Sequence, residues 1–173
     1  MHTRSTAAVA APALSSRSSR TPLLALLALL FVGAMSSASQ AGEAVNTDKT
    51  GVAINGYDPV AYFTDGKPVK GDFQNASTVD GATYWFASAD HKKLFEANPQ
   101  KYLPQFGGYC AFGVSIGKKF NADPSVWKII DGKLYLNLNA AIGEKFAVDT
   151  AAKLKAADAA WPAIKDVPAG QIK

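Results

Sequence analysis

The chain has 173 residues, enough for one domain of ordinary size, and its hydrophobic fraction of 48% is that of a folded protein. Its formal charge of +4 is unevenly laid out: all the arginines, Arg4, Arg17 and Arg20, precede residue 42, and no acid precedes Glu43. From residue 42 onward 15 lysines face 14 acids, a net of +1 without arginine, which argues against the bidentate base and phosphate contacts of a nucleic-acid reader.

Residues 1–41 have the three parts of a secretion signal. A basic, Ser-rich, acid-free stretch comes first. Leu23 to Met35 is an apolar run of 13 residues, too short to cross a bilayer comfortably as a helix. Ser39-Gln40-Ala41 supplies small residues for cleavage before Gly42, with Ser36-Ser37-Ala38 as a second cut, and the long basic stretch leaves the true start open. The expected compartment is the periplasm or the exterior, with no membrane span after cleavage. The exported part then holds a single Cys (Cys110), a single His (His91) and no Met. No internal disulfide is possible, so in an oxidising compartment the thiol is buried, bound or paired between chains.

Residues 42–50 read as a flexible polar arm, 51–162 as the domain and 163–173 as a tail. Val52-Ala53-Ile54 is expected to form a short strand. Asp58-Pro59 starts a helical turn through Phe63, with Asp58 as cap. Loops follow at Asp65-Gly66 and Lys70-Gly71-Asp72. Asp80-Gly81 turns into a β-prone run, Thr83 to Phe86. Ser88 caps a helix that runs to about Ala97, with Leu94 and Phe95 on its buried side and His91 facing the same way. Pro99 opens a further turn through Tyr102, ended by Pro104, Gly107 and Gly108. Tyr109 to Ile116 is helix or strand. Val126–Ile130 and Lys133–Leu138 form a hairpin closed by Asp131-Gly132, a type I′ signal. Asn139 to Ala160 is helical, broken at Gly143 and Asp149, docked by Leu154 and Trp161, and ended by Pro162. No internal repeat is evident. The fold class is α+β: a small single domain with short antiparallel strands and several short helices.

Four segments together resemble the YHS domain family in its single-domain exported bacterial form. They are Gly56-Tyr57-Asp58-Pro59-Val60-Ala61-Tyr62-Phe63; Tyr84-Trp85-Phe86-Ala87-Ser88-Ala89-Asp90-His91; Phe95-Glu96-Ala97-Asn98-Pro99 with Tyr102 and then Pro104-Gln105-Phe106-Gly107-Gly108-Tyr109-Cys110-Ala111; and Trp127 to Asn137. The resemblance covers Gly56 to Trp161. It implies a small α+β fold and a link to heavy-metal handling, because related domains accompany copper and other metal transporters. The transporter versions carry several cysteines, so their metal site does not transfer to a chain with Cys110 alone.

His91 and Cys110 are the candidate metal ligands, since imidazole and thiolate suit copper or zinc. Asp58, Tyr57, Asp90 and Tyr109 are possible additions, and water or a second subunit could complete the set. Against this stand a buried packing thiol and a space-filling histidine. An interaction or small-ligand module without metal, or a redox-active thiol, are the alternatives. The ring set Tyr57, Tyr62, Phe63, Tyr84, Trp85, Phe86, Phe106 and Tyr109 reads as core. A haem ligand is disfavoured because no Cys-x-x-Cys-His occurs. With one histidine no catalytic triad can be assembled, so the chain reads as a binding protein for an unidentified metal-handling or protein partner rather than an enzyme.

Overall fold

Asp-Gly pairs at 80–81 and 131–132 each close a β-hairpin, and the two hairpins organise the molecule. The computed structural model describes residues 44–172; the signal expected over 1–41 lies outside them. The elements are α1 (Ala61–Thr64), β1 (Asp72–Val79), β2 (Ala82–Phe86), α2 (Ala89–Ala97), α3 (Pro99–Tyr102), α4 (Ala111–Ser115), β3 (Asp123–Ile130), β4 (Lys133–Asn137), α5 (Ala140–Ala147) and α6 (Thr150–Ile164). β1 pairs antiparallel with β2, and β3 with β4, as two separate two-stranded sheets. The expected α+β architecture is present. Among the described residues no helix is long and apolar enough to cross a membrane.

The two hairpins belong to an internal repeat. Both carry positive φ at both turn residues: 51° and 76° at Asp80-Gly81, 52° and 72° at Asp131-Gly132. Both registers slip at the same place, between Asp72↔Phe86 and Ala76↔Trp85 in one, and between Asp123↔Asn137 and Trp127↔Leu136 in the other. Each hairpin leads into a side-chain-capped helix: Ser88 Oγ accepts from His91 N–H at 3.1 Å, and Asn139 Oδ1 from Ile142 N–H at 3.0 Å. Each helix is anchored by a fully buried phenylalanine, Phe95 or Phe146.

Upstream the match continues. Ile54, Asn55 and Gly56 form a 3₁₀ turn with three successive positive φ values, and Phe106, Gly107 and Gly108 repeat them. Parallel bridges Val52↔Thr83 and Pro104↔Leu134 correspond, as do the antiparallel Tyr57↔Lys70 and Tyr109↔Asn121. Asp58 N–H donates to Val69 C=O and Cys110 N–H to Phe120 C=O, both at 2.9 Å. A unit from Val52 to Ala97 is thus repeated from Pro104 to Ala147, contrary to the expectation of no repeat. The sequence kept few identities across this distance, chiefly Gly56-Tyr57 with Gly108-Tyr109, Asp80-Gly81 with Asp131-Gly132, Tyr84 with Tyr135, and Phe95 with Phe146.

Two-stranded hairpins are marginal alone, and each buries its apolar face against the rest. One core joins both repeats through Tyr62, Tyr84, Phe86, Phe95, Leu134 and Leu136. A second lies between repeat two and α6: Phe106, Val114, Tyr135 and Phe146 meet Ala157, with Leu154 and Trp161 packed against them.

Several local expectations change. Val52 and Ala53 make only isolated bridges and Ile54 enters the 3₁₀ turn, so no strand forms there. β1 occupies a stretch read partly as loop. Leu94 is 43% exposed, while Phe95 alone marks the buried face of α2. Gly143 sits within α5, because the break falls at Asp149, which adopts φ 57° and caps α6 by accepting from Ala152 N–H. α6 continues through Pro162 to Ile164: the ring removes only the bond to Asp158 C=O, which lies on an exposed face. The arm is not free either. Val45 is buried, Asn46 N–H donates to Gly107 C=O at 2.8 Å, and Thr47 bridges Ala53. The tail is tied by Lys118 Nζ to Ile172 C=O at 3.2 Å and Lys119 Nζ to Lys165 C=O at 3.0 Å.

Candidate functional site

Asp58 follows the first 3₁₀ turn and is fully buried. A buried carboxylate must have its lone pairs met, and four partners meet them here. Oδ1 accepts from Val60 N–H at 2.8 Å and from Ala61 N–H at 3.4 Å, which starts α1. Oδ2 accepts from Ala87 N–H at 2.8 Å and lies 2.6 Å from His91 Nδ1. The residue read as a helix cap therefore also clamps the chain before α2 and the ring on its first turn.

A carboxylate only accepts, so His91 Nδ1 carries a proton toward Asp58, and Nε2 is the ring nitrogen left for outer partners. Nε2 lies 3.3 Å from Thr64 Oγ1 and 3.7 Å from Asp65 Oδ1, at the end of α1. The His91 side chain is 16% exposed and that of Asp65 34%, so this corner reaches solvent. Thr64 and Asp65 were absent from the candidate set. Their signal was local: they stand at the end of the short helix that Asp58-Pro59 starts.

Cys110 occupies the position in repeat two that Asp58 occupies in repeat one. It is buried, and its sulfur accepts from Gly113 N–H at 3.4 Å as the cap of α4. Burial pushes its thiol up, outweighing the N–H groups of Gly113, Leu138 and Phe112 directed at it. Asn137 is its polar neighbour, with Oδ1 3.7 Å from the sulfur and accepting from Phe112 N–H at 3.2 Å. The residue corresponding to His91 in repeat two is Ile142. His91 and Cys110, paired by chemistry in the sequence, thus stand at the corresponding sites of two repeats, and their hydrogen-bond partners do not overlap.

The other candidates are dispersed. Tyr57 is half-buried with Lys70 Nζ 4.3 Å from its ring centroid. Tyr109 is buried, with Lys119 Nζ 4.9 Å from its centroid and Trp161 against it. Asp90 is exposed and pairs with Lys93 at 3.1 Å. Among the described residues no group of three or more His, Cys, Asp and Glu side chains is disposed to hold one ion. Asp58 and Asp65 address opposite nitrogens of His91, so only one of them could share an ion with it.

Set against known proteins, the chain matches no family model, no curated protein and no solved structure.

Proposed function

We propose that this is an exported, non-catalytic binding module of the YHS type that takes up a borderline transition ion, zinc or copper, at His91. The carrying observation is the 2.6 Å contact between Asp58 Oδ2 and His91 Nδ1. A carboxylate behind an imidazole fixes the tautomer and ring orientation and makes the outer nitrogen a better ligand. The separation of 3.7 Å between His91 Nε2 and Asp65 Oδ1 suits two donors on one ion, each about 2.0–2.2 Å from it. Thr64 Oγ1 stands beside them, and water or a partner's side chain fills the remaining positions. With one imidazole and one carboxylate the ion is held loosely, as a protein that passes ions on requires. Cys110, protonated and committed to Gly113 and Asn137, is not needed.

Zinc at a hundred times its Kd stabilises the folded domain by about 2.7 kcal/mol, visible as a rise in Tm. His91→Ala abolishes the rise, Asp65→Asn reduces it, and Cys110→Ser leaves it unchanged. Absence of a shift with both zinc and copper ends this reading. A shift that survives His91→Ala ends it equally.

A further inference from the structure

Asn137 is a buried polar side chain that repeat two puts where repeat one has a fully buried aromatic. Its counterpart Phe86 is fully buried against Phe95, ring centroids 4.9 Å apart. Asn137 is 2% exposed, and beside it a cleft of about 370 Å³ opens between the β3–β4 hairpin and α5. Val126 and Trp127 form one wall and Gly143 part of the other; a Cβ on Gly143 would stand 2.8 Å from Val126 Cγ1, so glycine lets helix and strand close one end. Lys128 and Glu144 stand at the exposed rim.

The amide's orientation is fixed. Phe112 N–H can only donate, so the Asn137 oxygen faces it, and the thiol addresses the same oxygen. Nδ2 is left with no hydrogen-bond partner among the described residues. Among the described residues no fully buried side-chain N or O lacks a partner, so Nδ2 keeps some exposed surface, and Asn137 lines the cleft. A donor pair on an otherwise committed amide, flanked by an indole, defines what fits: an acceptor oxygen on a flat apolar body. Lys128 and Glu144 both make no ion pair among the described residues; of the two, Lys128 is the one that can pair with an anionic acceptor.

We infer that this cleft is a binding site for a small aromatic or aliphatic carboxylate, seated by its oxygen on the Asn137 amide and by its apolar body against Trp127. The site is independent of the His91 reading.

The test titrates benzoate, benzamide and benzylamine separately into the full domain and follows the Asn137 side-chain amide and Trp127 indole signals by NMR. Benzoate and benzamide shift both signals, benzoate more tightly, while benzylamine, with no acceptor oxygen, does not. Lys128→Gln weakens benzoate by about tenfold and benzamide little. Asn137→Asp keeps the oxygen facing Phe112 but loses the donors, and abolishes binding of both. Ala140→Trp, at an exposed lining position, blocks the cleft mouth without touching the Asn137 bonds, and it must abolish binding if Asn137→Asp fails to fold. The proposal is overturned if benzylamine binds as well as benzoate, if benzoate at about 10 mM shifts neither signal, or if Ala140→Trp leaves binding intact.

Discussion

Repeat one and repeat two share a backbone and differ in what that backbone holds. The cap of the first short helix is a carboxylate, Asp58, in one and a thiol, Cys110, in the other, and each takes N–H groups from the turn it starts. At the end of the second strand the first repeat buries Phe86 and the second buries Asn137 beside a cleft. After the capped helix, repeat two gains α6, which covers Phe106, Tyr135 and Phe146. Backbone geometry is thus separable from site chemistry. The turns, bulges and caps specify the frame, and single side chains at matched positions decide whether it offers an imidazole corner or an amide-lined cleft.

If the repeats are equivalent as frames, their matched anchors must matter equally. Phe95→Ala and Phe146→Ala each lose about 3–5 kcal/mol in urea denaturation, the range for emptying a buried ring site. A loss below about 1 kcal/mol at either would break the equivalence. The caps sharpen the contrast. Asp58→Ala strands the Ala87 and Val60 N–H groups and His91, and loses about 3 kcal/mol or more. Cys110→Ala removes weaker sulfur bonds and loses about 1 kcal/mol. Equal losses would mean that the two caps do the same job. Ser88→Ala and Asn139→Ala should match again, at about 1 kcal/mol each by thermal melts. The smallest effect is confined to repeat two. Burial raises the Cys110 thiol above its ordinary 9.0, so its contribution is complete below that pH and is lost as pH climbs through the folded-state value. The stability difference between the wild type and Cys110→Ala therefore shifts against the wild type only above about pH 9. Thiol reagents at neutral pH should label Cys110 only on unfolding, and rapid labelling of the folded domain would contradict the burial.

Much of the second half was legible because its signals are local. Asp131-Gly132 demands a tight hairpin, Ser88 and Asn98-Pro99 bracket α2, and Asp149 caps α6. β1 was not, since Gln74, Asn75, Ser77 and Thr78 give no apolar alternation on a strand whose sheet has only two members. The repeat escaped for a related reason. What recurs is φ, register and cap role, and these tolerate Asp against Cys or Ser against Asn. His91 and Asp58 were singled out from sequence, but their contact spans 33 positions and needed the fold to appear. Asn137 was passed over as the end of a strand. Its meaning depends on the comparison with Phe86, which only the shared register exposes.

The segment around Asn46 carries a consequence for the order of assembly. Its backbone N–H and its side-chain Nδ2 grip Gly107 and Gly108, the latter 62 positions later in the chain, while Thr47 joins the turn of the first repeat. At Gly107 any side chain would begin 1.9 Å from Ala44 C=O, so the strap runs across bare backbone. It can close only after the second 3₁₀ turn exists. The earliest part of the described chain therefore depends on a turn some sixty positions later, and one distant glycine decides whether the two can meet.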